Sequence, residues 1–512
     1  MSLDEVTGSH GRKDSILRRS ERRSLGNWTI PQIFALALAA SIVQAVYVVF
    51  EARDLVADGS YYLLQALAHG GLSLIEPGRK TVEILQQSFS FAAYKLGVSK
   101  VSAYCMLFTL GVQIWPLLLT AGAWLLLPPN GKGWILGPLL NLVLFIPMTS
   151  FVGISGVTIA SCFMWVLYFL VEFRMRSWRS SLVASVLAVA SIYLHEEAFA
   201  FMVGIAVLSA IRAREVGGWR RAHRLVLSLL VAVAAFHLAY LVVFPRDAVN
   251  RAAFLKGIVS EFLVDVSPDG IGVSWSAVAA ICVCLCLLCV HFPIRQSEEQ
   301  RLRRVAACAQ ATGALFVLIA LLFLFVPEWV VVPHAFMAAR GIPIIATTAM
   351  AVITHVLVRH GWTPERLAPQ PVRILLIAVI PLQLFMQSVL TEHWAMYRQD
   401  LAGLVRQKTG IIDWKAATNA LDPNHTLFRR AFDRAWSIEP LSILLAPSGR
   451  IRAVVEARPD VPWRPYDLTN PKTLPLCARG LDWSRFLAAR RDVGVRGELP
   501  CSQSRPPMLT AP

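Results

Sequence analysis

The 512 residues are 56% hydrophobic and only 16% charged, with a mean hydropathy of +0.55. That balance excludes a soluble multidomain protein and puts most of the chain in lipid. The formal net charge of +16 would suit a nucleic-acid partner, but Lys and Arg gather in short runs between apolar segments, where they orient a membrane protein, so nucleic acid is set aside.

Residues 1–27 form a basic tail carrying Arg12, Lys13, Arg18, Arg19, Arg22 and Arg23. The apolar run that follows continues through Phe50, too long for a signal-peptide core, and is expected to stay as an anchor with the tail in the cytoplasm. Apolar segments able to cross about 30 Å of hydrocarbon, alone or beside neighbours, are predicted at 28–50, 102–127, 134–149, 153–173, 181–195, 197–212, 225–244, 272–292, 306–326, 342–358 and 373–391. The predicted fold is therefore an all-α polytopic membrane protein with about 11 transmembrane helices, its membrane domain covering 28–391. With the N-terminus inside, the connections on the cytoplasmic side hold Lys132, Arg174, Arg176, Arg179, Arg212, Arg214 and Arg220 among others. The long loops on the other side, 51–101, 245–271 and 327–341, hold fewer basic residues per length, as the positive-inside rule requires.

After 391 the composition changes. Residues 392–512 read as a small extracytoplasmic α+β domain: an amphipathic stretch from Trp394 to Gln407, Gly410-Ile-Ile-Asp-Trp414, strand-like Leu441–Leu445 and Ile451–Val455, and many prolines. Seven of the nine cysteines lie in apolar runs and read as small hydrophobes; Cys477 and Cys501 do not, and in an oxidising compartment they are expected to pair as a disulfide. Together these features predict a multi-pass protein of a bacterial inner (plasma) membrane with its C-terminus in the periplasm.

The chemistry is expected at the outer interface, because ionisable residues inside the spans are nearly absent, His237 being the main one. Glu51, Asp54 and Asp58 follow the first span at spacings of three and four, which a helix would gather on one face. Tyr61 and Tyr62 beyond them suit the headgroup level. Carboxylates crowded at a low-dielectric edge gain proton affinity, so Asp58 first, or Asp54, is the candidate general base. Glu51 and Arg53 read as solvated charges flanking the span. Arg79, Lys80, His334 and Arg340 could together neutralise a phosphate. His195, Glu196 and Glu197 make a divalent metal ion a candidate cofactor, although one tripeptide is short of a complete ligand set; the alternatives are that they bind a sugar hydroxyl or orient a base, or that they form a polar turn satisfying helix ends.

This arrangement resembles the GT-C class of integral membrane glycosyltransferases, which includes protein mannosyltransferases and lipid A aminoarabinose transferases. The resemblance rests on the first span ending in Glu51-Ala-Arg-Asp54 and Asp58-Gly-Ser-Tyr-Tyr62, on the amphipathic run Arg79–Tyr94 in a long first outer loop, on the number of spans and on the outer C-terminal domain. It implies transfer of a sugar from a polyprenyl-phosphate donor to a glycan or lipid acceptor, with a carboxylate of the first loop as base and membrane lipids as surroundings. The sequence lacks the adjacent Asp-Glu pair of protein mannosyltransferases, which leaves Asp54 and Asp58 both open for the role. Two other readings are an O-antigen polymerase or ligase, which would lean on basic residues of late loops, and a non-catalytic scaffold for envelope assembly or export, which would depend on 392–512.

Overall fold

The computed structural model describes residues 28–56, 58–68, 71–74, 79–98, 100–146, 155–175, 177–194, 199–215, 220–243, 347–348, 350–355, 357–359, 361–368, 370–408, 410–421 and 437–445, with short pieces at 265–267, 270–272, 300 and 453–455. The predicted segment 272–292 beyond its first residue and the whole of 306–326, together with His195, Glu196, Glu197, His334, Arg340, Cys477 and Cys501, lie outside the described residues.

What is described is mostly helical. The first helix, α1 (Ile30–Phe50), starts at a capping box in which Thr29 Oγ1 accepts from the Gln32 backbone and the Gln32 side chain accepts from the Thr29 N–H. Two amphipathic helices follow, α2 (Asp58–Ala68) and α3 (Lys80–Lys95), and then a long apolar helix, α4 (Val101–Leu126). A 3-10 stretch, Pro129–Ile135, leads into the short α5 (Leu136–Leu140) and a π-helical turn, Asn141–Phe145. Next come α6 (Ser155–Phe169), which runs on as a π turn to Arg174, and then α7 (Trp178–Ala190), α8 (Phe199–Glu215) and α9 (Arg220–Val243). Past a small hairpin of β1 (Asp265–Ser267) and β2 (Gly270–Gly272) stands α10 (Gln370–Gln407), 38 residues long and continuous through Pro381.

Among the described residues, four helices are long and apolar enough to cross a membrane: Ile30–Phe50, Val101–Leu126, Gly156–Arg174 and Val372–Gln407. Apolar side chains such as Ile42, Val43, Leu118, Leu125 and Phe385 are exposed on three of them, while Gly156–Arg174 is buried among its neighbours. Water would penalise that coat, whereas hydrocarbon accepts it.

The bundle has two distinguishable ends. Where α1 begins, Arg373 donates to the Trp28 carbonyl (3.4 Å), Lys132 to the Trp124 carbonyl (2.7 Å), and Arg174 to the carbonyls of Leu125, Leu126 and Leu127. Lys132 and Arg174 thereby give partners to the carbonyls of the last turn of α4, of which the Trp124 carbonyl also accepts from the Leu127 N–H. Where α1 finishes, Arg398 of α10 pairs with Glu51 at 2.8 Å and Trp394 Nε1 donates to the Glu51 carbonyl at 2.9 Å. Thus α1 and α10 run parallel.

Two apolar cores follow from this layout. One fills the bundle around Phe34, Trp165, Phe169, Met202 and Leu230. The other lies at the α1-finishing end and gathers Leu55, Leu63, Leu67, Phe108, Trp394, Tyr397 and Leu401 with α11 (Trp414–Leu421), α12 (Ile438–Leu445), and β4 (Ala453–Val455), which pairs in parallel with β3 (Gly410–Ile412). Leu441–Leu445, expected as a strand, is the second half of α12. Its residues from Ile438 through Leu444 are all buried, so the continuous apolar run expresses burial on every side, which periodicity alone does not distinguish from a strand. The predicted boundary at 391 falls inside α10, which carries the span and the amphipathic stretch as one rod.

Helix α3 lies so close against α4 that a Cβ placed on Gly111 would stand 2.0 Å from the Gln86 carbonyl oxygen. Gly111→Ala is therefore expected to separate the two helices and cost about 1–3 kcal/mol, the usual range for overpacking. Thermal unfolding in detergent, with Gly122→Ala as a control whose nearest contact would be an ordinary 4.0 Å, checks the effect.

Candidate functional site

The acidic stretch is not one helical face. At Ala52 the backbone turns into the left-handed region (φ 49°), where a side chain is strained and helices end. The next three residues, Arg53–Leu55, make one 3-10 turn before α2 begins at Asp58. The three carboxylates are thereby sent to three places. Glu51 turns to Arg398. Asp58 sits half-buried in the first turn of α2, and Asp54 points into the bundle, only 4% exposed.

The position of α2 depends on a missing side chain. A Cβ on Gly59 would stand 1.7 Å from the Asp54 carbonyl oxygen, so only glycine lets the first turn of α2 close over the Asp54 backbone. Further along, the Ser60 hydroxyl donates to the Ser437 carbonyl at 3.2 Å, tying α2 to the start of α12.

Arg53 is 3% exposed and is no solvated flank. Its Nη1 donates to the Thr391 hydroxyl (2.9 Å) and the Gln387 carbonyl (3.2 Å), both on α10. Asp54 Oδ2 accepts from Gln113 Nε2 of α4 at 2.7 Å. Two neighbouring charges thus draw partners from two different helices.

These two residues close one end of a cavity of about 90 Å³ between α1, α4, α6 and α10, bounded elsewhere by apolar side chains and by Ser41, Gln44, Gln113, Thr158, Gln383 and Gln387. Arg53 and Asp54 are the ionisable groups in this lining. Burial pushes the Asp54 carboxyl up to about 6, while the Arg53 guanidinium and the Gln113 hydrogen bond act in the opposite direction. Burial also lowers the proton affinity of Arg53, against the pull of Asp54. A carboxyl poised there can accept a proton near neutral pH.

The other expected site residues stand elsewhere. Arg79 precedes the first residue of α3. Lys80 Nζ lies 5.5 Å over the Tyr193 ring, and Thr81 donates to the Ala190 carbonyl at 3.0 Å, so this end of α3 packs on the end of α7, just before 195–197. Neither Arg79 nor Lys80 lines the cavity. Tyr61 and Tyr62 stand together at 5.8 Å between ring centroids, Tyr62 packed on the second core. Among the described residues no three His, Cys, Asp or Glu side chains gather as a metal site would need.

Sequence reasoning missed Gln44, Gln113, Gln383, Gln387 and Thr391. The signal was available: uncharged amides inside apolar spans, with Gln383 and Gln387 four residues apart on one face. A second buried carboxylate, Glu172 at the opposite end, accepts from Arg212 with both its side chain and its backbone oxygen and meets His355 Nδ1 at 3.0 Å.

Compared with models of protein families, with curated proteins and with solved structures, the chain gives no match.

Asp54 has a stability consequence. Its folded proton affinity lies above the unfolded value of 3.8, so between about pH 4 and pH 6 the unfolded chain releases the proton while the folded one keeps it. Stability therefore falls as pH rises through that window and stays low above it. Asp54→Asn, which keeps an acceptor for Gln113, is expected to be more stable than the parent at pH 8, by on the order of 3 kcal/mol at most, and to match it at pH 4. Detergent-solubilised melting curves at the two pH values measure the difference.

Proposed function

We propose that the protein is a GT-C-like membrane glycosyltransferase that moves a sugar from a polyprenyl-phosphate donor to a glycan or lipid acceptor, with Asp54 as general base. The observation that carries this reading is the buried, proton-poised carboxyl of Asp54 facing an interhelical cavity at the end of the first span. A base must hold little of its own proton at working pH yet bind the one it removes, and an affinity near 6 meets both demands. The acceptor hydroxyl loses its proton to Asp54 as its oxygen attacks the anomeric carbon, and the lipid phosphate leaves with the bonding pair. Apolar helix walls suit a lipid-borne donor, which would be the available sugar source where nucleotide sugars are lacking.

Asp58 is the second candidate for the base, and it stands outside the cavity lining. Arg79, Lys80, His334 and Arg340 are proposed to receive the lipid phosphate, since the cavity's own cation, Arg53, is already engaged by α10. The basic residues at the end where α1 begins, Lys132, Arg174 and Arg373, support a cytoplasmic assignment for that end and a periplasmic one for Asp54. With them go the larger proposals of about 11 spans, an α+β periplasmic domain, and a bacterial inner membrane.

Loss of a general base removes a factor of about 10² to 10⁴. Transfer of radiolabelled sugar from polyprenyl phosphate in isolated membranes is expected to fall by that much in Asp54→Asn and much less in Asp58→Asn. Full activity in Asp54→Asn with loss in Asp58→Asn would move the base to Asp58, and full activity in both would end the reading.

Topology has its own test. If the tail is periplasmic, Cys477 and Cys501 are expected to resist alkylation in protein taken directly from cells until reductant is added. Free thiols at both positions would turn the orientation over.

A further inference from the structure

We infer that Gln113 is a positioning residue for this site: its amide holds Oδ2 of Asp54 and thereby leaves Oδ1 as the oxygen that takes up the proton in the cavity. The inference rests on reading Asp54 as the base, and it concerns how that carboxylate is aimed and tuned.

The geometry carries it. Gln113 sits in the middle of α4, in a span whose other inward residues here are Val112, Pro116 and Leu117. An amide in such a setting needs a partner, because an unmet polar group in hydrocarbon costs several kcal/mol. Among the described residues the one it has is Asp54 Oδ2, at 2.7 Å, the length of a hydrogen bond to a charged acceptor. Oδ1 accepts no hydrogen bond among the described residues, and the Asp54 side chain borders the cavity. An uncharged donor suits the task better than a cation would. A lysine or arginine there would hold the carboxylate ionised and depress its proton affinity, whereas an amide fixes the oxygen in place with a smaller electrostatic effect.

The charged neighbour on the same turn is Arg53, directed to Thr391 and Gln387. Glu51 and Arg398 pair with each other outside the cavity lining. From α1, α4, α6 and α10 the polar groups facing the cavity are otherwise amides and hydroxyls: Ser41, Gln44, Thr158, Gln383 and Gln387. The tuning of Asp54 is thus shared among burial, Arg53 and Gln113, and removing Gln113 takes away a stabiliser of the ionised form.

The test reads the carboxyl directly and needs no substrate. Infrared difference spectra of the full-length protein in lipid are recorded across pH, and the carboxylic C=O band absent from Asp54→Asn is followed. In Gln113→Leu that titration is expected to move upward by roughly one pH unit, the effect of one hydrogen bond to a charged oxygen. Gln113→Asn, whose amide is one methylene short, should move it in the same direction and serves if the leucine variant fails to fold. Gln383→Leu removes an amide from the same cavity without touching Asp54 and should leave the titration in place. An unmoved band in both Gln113 variants, or an equal shift in Gln383→Leu, would overturn the inference. Neither result bears on catalysis, whereas retained transfer in Asp54→Asn would remove the base and leave the infrared outcome standing.

Discussion

Two opposite charges, Arg53 and Asp54, buried side by side at the end of α1, are the constraint that the surrounding structure must meet. Taking either from water into a low-dielectric interior costs several kcal/mol unless hydrogen bonds replace those to water. Adjacent residues on one 3-10 turn cannot direct their side chains at the same partner. Arg53 therefore calls on α10 through Thr391 and Gln387, and Asp54 calls on α4 through Gln113. Each link fixes the height of a long helix against α1. The Glu51–Arg398 pair and the Trp394 bond, one to two turns further along α10, repeat the same register.

The left-handed Ala52 is what makes this arrangement possible. Had the helix simply continued, Glu51, Asp54 and Asp58 would have formed an acidic stripe with mutual repulsion and access to solvent. Breaking the helix at Ala52 costs of order 1 kcal/mol of backbone strain, and the tight turn then needs Gly59 to close over it. Strain of this kind persists where packing enforces it. Here the enforcing contacts are Leu55 and Val56, both fully buried in the second core.

Much of the architecture was legible in the sequence because membrane helices advertise themselves by length and apolarity. The ends of α1, α4 and α6 fall close to the predicted segments, and α10 begins close to its segment but runs on past 391 to Gln407. The acidic stretch of the first loop was visible in the sequence, and Asp54 was among the residues singled out from it. The fate of Arg53 was not, since its partners lie 334 and 338 residues away, and nothing local marks a left-handed alanine. The glutamines were visible but undervalued. A search restricted to ionisable groups passes over amides, although a span has as much reason to avoid an unmet amide as to avoid an imidazole. The run 441–445 misled for a different reason: its neighbours bury it all round, and period carries no information when every face is apolar.

Among the described residues Glu83 and Glu439 are buried as well, but Glu172 and Asp54 are held in opposite ways. Glu172, its side chain wholly buried, is met by Arg212 at one oxygen and His355 at the other, so both oxygens are taken. Such a group joins α6, α8 and the 350–359 helix, and breaking the pair would strand a charge. Asp54 has one neutral amide on one oxygen and a guanidinium beside it that is directed at another helix. Its negative charge is undercompensated, which is why burial prevails over its partners and raises its proton affinity. Both oxygens of Glu172 have partners, whereas Gln113 holds one oxygen of Asp54. Asp54 borders the cavity between α1, α4, α6 and α10, and Glu172 is not part of that lining.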